Sequence, residues 1–181
     1  MSSLQLRTTN ITPFIDSFRM PLSRFHRRKL EKIDGFDYSR IQKKMSAEFP
    51  CIQQDYLDRG INALKQYYAV ALLDPKNEHA VSVPVDPFWH NHILFTRDYV
   101  RFCDEVFNQF IHHEPLDKTD TQQVDKVLGL YEYTKEVYQQ LFKNIDSEMW
   151  PTPSLDSVIC SHHEVYDPTI RRHSLLQRRA A

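Results

Sequence analysis

Residues 81–115, VSVPVDPFWHNHILFTRDYVRFCDEVFNQFIHHEP, constrain the fold of this chain more than any other stretch. Asp86 followed by Pro87 predicts a sharp helix start, because an aspartate side chain caps the first turn and proline is tolerated at its first position. Alternating valines with Pro84 among them precede it and predict an extended lead-in. The sequence therefore predicts a lead-in, one helix and a return through a His-His-Glu-Pro turn.

Helical periodicity follows Asp86 over about twenty residues. Eight side chains recur at spacings of three and four and predict one buried stripe: Trp89, His92, Phe95, Thr96, Tyr99, Phe102, Cys103 and Val106. Asp86 and His90 are four residues apart, so their side chains can meet on a second face. His90 and His92 point to nearly opposite sides, which disfavours one metal ion held by both from a regular helix.

The flanking segments predict helices too. Residues 51–73 predict a long helix in which Gly60 marks a close approach by another helix, and Thr119 with Gln122 predicts a capped helix up to about residue 144. Trp150 before Pro151 is expected to fold back on the core. The predicted fold is all-α: a single-domain helical bundle of about five helices, with the extended Val/Pro lead-in before the central motif helix.

Three regions follow from this pattern. We expect an N-terminal arm with a short helix at residues 1–36, a helical core domain at 37–151, and a partly disordered C-terminal tail at 152–181. The core domain carries both the D-x-x-W-H-x-H and the H-H-x-P motifs. The basic run at residues 24–32 is interpreted as the solvated face of a short helix.

Composition excludes several classes of function. An apolar content of 41% with 26% charged residues is typical of a folded soluble protein, and three glycines exclude a glycine-rich phosphate loop. A net charge of −1 gives no general attraction to nucleic acid or to an anionic membrane. No apolar run is long enough to span a bilayer, and three widely spaced cysteines suit reduced thiols, so we expect a cytoplasmic protein.

The histidines of the central segment raise a metal hypothesis. Imidazole and thiolate groups suit zinc or a similar divalent ion. The candidate ligands are His90, His92, His112, His113 and Cys103. Their spacing matches no tight motif such as His-Glu-x-x-His, and each of them has a structural explanation as well. A divalent metal therefore remains one of several hypotheses.

A metal-free hypothesis uses some of the same residues. Asp86 or Glu114 can orient His90 or His113, which gives a carboxylate–imidazole pair that transfers protons near neutral pH. Under this hypothesis His90, Asp86 and His113 are the candidate catalytic residues, and the partner is a small molecule. Cys103 is a poor nucleophile, since a buried position raises the pKa of a thiol. Whether the chain is an enzyme stays open.

The alternative is a non-catalytic structural or protein-interaction module. In it the same polar residues form a buried hydrogen-bond network, and a protein partner takes the place of a ligand. Nucleic acid is disfavoured as a partner, because the basic clusters lie at the two ends of the chain.

The motif Val85-Asp86-x-x-Trp89-His90-x-His92, followed by Thr96, Tyr99, Cys103 and the His112-His113-x-Pro115 turn, resembles the plant glycine-rich domain protein family and its short bacterial relatives. The resemblance spans residues 51–151 and implies a mostly helical domain in which Asp86, His90, His92, Cys103 and His112 form one functional cluster. This chain lacks a glycine-rich tail, so the RNA binding suggested for plant members is not expected. Asn108 stands where relatives have glycine, and asparagine tolerates the left-handed backbone of a helix end.

Overall fold

Helices dominate residues 13–154 and 156–164, the part of the chain that the computed structural model describes, with the backbone alone described for 159–164. A short 3-10 helix (Phe14–Ser17) precedes six α-helices: α1 (Arg24–Asp34), α2 (Ser39–Glu48), α3 (Gln54–Leu73), α4 (Asp86–Leu94), α5 (Thr96–Val106) and α6 (Thr121–Leu141). Three strands complete the fold: β1 (His79–Ser82), β2 (Ile111–Pro115) and β3 (Val158–Glu164). The prediction of a mostly helical fold is confirmed. The all-α class is only roughly right, because the described residues also form three strands, and they form six α-helices where about five were predicted.

The strands form one antiparallel sheet in the order β1-β3-β2. His162 of β3 pairs with His79 of β1 on one side and with His113 of β2 on the other. The central strand thus comes from residues 158–164, within the region predicted to be the tail. β1 has only four residues and all are buried, so it lacks the alternation that would have identified it.

The core is built around α3. Gly60 of this helix faces Phe88 of α4, where an added Cβ would lie 2.0 Å from the ring carbon Cζ. The predicted close approach at Gly60 is therefore confirmed. Trp150 is buried against Tyr138 at a ring-centroid distance of 5.0 Å, which confirms that this tryptophan folds back on the core.

The predicted central helix is divided in two. At Phe95 the backbone leaves the helical conformation (φ −85°, ψ 59°), which ends α4 and begins α5. The Arg40 guanidinium lies over the Phe95 ring, 4.2 Å from its centroid, and also pairs with Asp98 in the first turn of α5. Contacts with α2 thus hold the break in place, and periodicity within 86–106 could not predict them.

The predicted helix caps were partly wrong. α4 is capped by Val85 without a side-chain hydrogen bond, and Asp86 is its first residue. Asp120 caps α6 by accepting from the N–H groups of Gln122 and Gln123, in place of Thr119. Asn108, just past α5, has a φ of 58°, so the left-handed backbone expected at that position is confirmed. Among the described helices, none combines the length and the hydrophobicity that a membrane span requires.

Candidate functional site

A carboxylate–imidazole pair joins the start of α4 to β2. The Nε2 atom of His113 lies 3.0 Å from Oδ1 of Asp86. Both side chains keep a small exposed fraction, 13% for His113 and 12% for Asp86. The carboxylate also lies in the first turn of a helix, where the unpaired N–H groups and the helix dipole favour negative charge. The chain reversal expected from the sequence thus brings these two groups within hydrogen-bonding distance.

Buried aromatic side chains hold β2 in position beside α4. The indole N–H of Trp89 donates to the hydroxyl of Tyr99 at 3.1 Å, and this hydroxyl donates to the carbonyl of Ile111 at 2.7 Å. The Trp89 ring also packs against His113, with centroids 4.7 Å apart. Because Trp89, Tyr99 and Ile111 are all buried, their contacts fix the position of His113 relative to Asp86.

His90 lies beside the pair on its exposed side. Its ring meets the His113 ring edge-on, with centroids 5.8 Å apart. The carboxylate of Glu48, from α2, lies near enough to His90 for the two groups to interact electrostatically. Hydrogen bonds from Lys44 and Asn91 lower the pKa of Glu48, and the His90 imidazole contributes in the same direction. His90 thus lies near both His113 and Glu48.

His92 lies away from this group, in the aromatic core. It is 1% exposed, and its ring packs against Phe36 and Phe102. Its Nδ1 atom shares a 2.7 Å hydrogen bond with the Tyr68 hydroxyl, whereas its Nε2 has no hydrogen-bond partner in the described part of the chain. Burial lowers the pKa of His92 to about 3, so its imidazole is neutral at physiological pH.

Cys103 and His112 also lie apart from the pair. Cys103 is fully buried, and burial raises the pKa of its thiol to about 11, which supports the expectation of an unreactive thiol. His112 is exposed and packs against Phe110, with ring centroids 4.8 Å apart. Neighbouring residues of a strand point to opposite faces, so His112 points away from the side that His113 occupies.

The predicted metal ligands therefore do not converge. His92 and Cys103 belong to the core, and His112 faces away from His90 and His113. Among the residues whose side chains are described, no group of three or more His, Cys, Asp or Glu is arranged to hold a metal ion. Of the cluster implied by the resemblance, only Asp86 and His90 stay close together, and His113 from the metal-free hypothesis joins them. The catalytic roles of Asp86, His90 and His113 stay predictions.

A second carboxylate–imidazole pair was missed by the sequence analysis. His79 of β1 lies 3.3 Å from Asp74 (Nε2 to Oδ2), and Tyr133 both donates to Asp74 at 2.6 Å and stacks on His79. Asp74 and His79 are almost wholly buried. Asp74 ends α3, so this pair ties the end of that helix to β1 and α6. In the sequence, the turn residues that begin at Asp74 indicated the end of a helix and gave no sign of a pair with His79.

An apolar pocket of about 620 Å³ opens beside the start of α4. Its walls come from the end of α2, the α2–α3 connection, the start of α3 and the Val/Pro lead-in. The lining residues are Met45, Glu48, Phe49, Pro50, Cys51, Ile52, Tyr56, Val83, Pro84 and Pro87. Two of these residues lie near the carboxylate–imidazole group: Glu48 interacts electrostatically with His90, and Pro87 directly follows Asp86. The prolines at 50, 84 and 87 were the only sequence signal of these walls.

Comparison with known proteins places the chain in a family. The model of the UCP032817-like family matches residues 27–143, well over half of the 181 residues, and the chain belongs to this uncharacterised family. No curated protein and no solved structure matches it. The resemblance to the glycine-rich domain family is therefore wrong: the shared histidine and tryptophan motif is short and its flanks are ordinary helices.

Proposed function

We propose that this protein binds a small organic molecule at the start of α4 and that His113, oriented by Asp86, moves a proton to or from it. The observation that carries the proposal is the 3.0 Å contact between His113 Nε2 and Asp86 Oδ1, made by two side chains that are each slightly exposed. Imidazole is the side chain best suited to proton transfer near neutral pH. A carboxylate bound to one ring nitrogen fixes which nitrogen carries the proton.

The arrangement leaves one ring nitrogen for a substrate. With Nε2–H donating to Asp86, the Nδ1 atom of neutral His113 is the free base. The carboxylate then stabilises the imidazolium that forms when Nδ1 takes a proton. Asp86 acts as a positioning residue in this scheme, and His90, which is exposed and adjacent, is a second proton carrier toward solvent. We propose this chemistry without a metal step.

A turnover screen over many small molecules at once tests the proposal. Purified protein is incubated with fractions of a small-molecule extract, and consumed compounds are identified by mass spectrometry. His113→Gln keeps an amide donor for Asp86 but cannot carry the proton, so conversion should fall by about two orders of magnitude or more. His112→Gln is the matched control, because it changes the exposed neighbouring imidazole, and it should leave conversion unchanged.

The competing function is a structural module. It is favoured by the buried hydrogen bonds from Trp89 through Tyr99 to Ile111, which make β2 part of the core. Under this alternative, His113→Gln lowers the free energy of unfolding and the wild type converts nothing in any fraction. That result, or equal conversion by wild type and His113→Gln, contradicts the proposed proton transfer.

A further inference from the structure

We propose that the 620 Å³ pocket beside α4 binds a small organic cation, with an apolar body against the pocket walls and an ammonium group at Glu48. The inference deepens the proposed function, since it names the class of molecule that would reach the imidazoles. The inference depends on the proposed function only for the chemistry that follows binding. The binding site itself depends on the residues that line the pocket.

The walls of the pocket select an apolar body. Its volume lies within the range of small-molecule sites, and aliphatic, aromatic and proline side chains line most of it. The three prolines, Pro50, Pro84 and Pro87, have no backbone N–H to offer a ligand. Phe49 is half exposed at this pocket, so a bound molecule would cover apolar surface that water now contacts.

One charged side chain, Glu48, lines the pocket. Its carboxylate is ionised, because hydrogen bonds from Lys44 and Asn91 lower its pKa. The rings of Phe49 and Tyr56 belong to the same walls, and aromatic faces attract organic cations. A carboxylate among apolar and aromatic walls is complementary to a molecule that carries one positive charge on an apolar body.

The present partners of Glu48 leave room for such a cation. Lys44 lies 2.5 Å from Oε1 of Glu48, and Asn91 donates to Oε2 at 3.0 Å. Lys44 is one turn away on the same helix and its side chain is 32% exposed. Surface ion pairs of this kind contribute little to stability, so a ligand ammonium can replace Lys44 at small cost. Asn91 is buried on α4 and would keep the carboxylate in place.

The pocket also leads toward the imidazoles. Glu48 lines it and neighbours His90, whose ring contacts the His113 ring. Pro87 lines it and directly follows Asp86 in the first turn of α4. A cation held at Glu48 is therefore near His90, the imidazole whose ring contacts His113.

A matched pair of ligands tests the inference. Binding of 4-phenylbutylamine and of the neutral 4-phenylbutan-1-ol is measured by calorimetry, and two-dimensional NMR follows the methyl signals of Ile52 and Val83. We expect both methyl signals to shift with the amine. The amine should bind about five- to tenfold more tightly than the alcohol, because a partly exposed ion pair and a cation–π contact each contribute a factor of a few.

Variants of the ion pair separate the possible outcomes. Glu48→Gln should remove the preference for the amine, and Lys44→Met should strengthen amine binding, since the competing ammonium is gone. Equal affinity for the two ligands, no binding, or binding that leaves the Ile52 and Val83 methyl groups unshifted overturns the inference. His113→Gln should bind the amine like wild type, because this residue does not line the pocket. Amine binding by a protein that converts nothing in any extract fraction contradicts the proposed function and leaves this site standing.

Discussion

Buried His92 predicts a specific loss of stability in acid. The imidazole must stay neutral in the folded protein, because burial lowers its pKa to about 3 from an ordinary value of 6.5. Between these two values the unfolded chain takes up a proton that the folded chain does not. Lowering the pH through this window therefore favours unfolding. The stability that neutral His92 permits is complete above about pH 6.5 and is lost progressively below it.

The magnitude follows from linkage. Each pH unit below 6.5 and above the folded pKa lowers the free energy of unfolding by about 1.4 kcal/mol, which gives about 2 kcal/mol at pH 5. His92 is 1% exposed, so solvent screening does not reduce this figure appreciably. A loss of 2 kcal/mol is a large part of the about 5–15 kcal/mol that holds a typical domain folded.

Urea unfolding of wild type and His92→Asn at pH 7, 6 and 5 measures this effect, with tryptophan fluorescence as the signal. The asparagine oxygen can take the place of Nδ1 as the partner of Tyr68, and it does not titrate. Wild type should lose about 2 kcal/mol more than the variant between pH 7 and pH 5. The contributions of titratable groups that both proteins share cancel in the difference. Equal losses in the two proteins would refute the assignment of His92 as a buried neutral imidazole.

Two other substitutions and one labelling experiment test the packing. Gly60→Ala should destabilise the protein by about 1–3 kcal/mol, because the new methyl group meets Phe88. Gly129→Ala, in α6 with open space around it, should instead add up to about 1 kcal/mol of helix stability. Equal effects of Gly60→Ala and Gly129→Ala on the free energy of unfolding in urea would contradict the α3–α4 contact. With a thiol-reactive reagent and peptide mapping, exposed Cys51 should react rapidly and Cys103 only on unfolding. Rapid labelling of Cys103 in the native protein would mean that its site is not buried.

The sequence predicted local features of the site well. Helical periodicity correctly predicted the burial of His92 and Cys103, although Phe95 and Thr96 of the same predicted stripe are partly exposed and exposed. The burial of His92 and Cys103 removes them from the set of possible ligands. The predicted His-His-Glu-Pro turn is wrong, since these residues lie in β2 and the chain turns at residues 107–110. The expected return of the chain is confirmed, because His113 meets Asp86. In both cases the information lies within about thirty residues of chain.

Features that depend on distant segments could not be predicted in this way. Glu48 reaches the site from α2, and the break at Phe95 depends on Arg40. β3 enters the sheet between β1 and β2 from beyond residue 155, and the buried pair of Asp74 and His79 is completed by Tyr133 of α6. Each of these contacts joins residues far apart in the sequence, where neither periodicity nor turn chemistry carries a signal.

The central claim is that a molecule in the pocket reaches the paired imidazole. Titration of protein carrying ¹⁵N-labelled histidine with 4-phenylbutylamine tests it directly. We predict that the ring signals of His113 and His90 shift and saturate together with the Ile52 and Val83 methyl signals, while the ring of His112 stays unchanged. Saturation of the pocket signals with no change at His113 and His90 would contradict the claim.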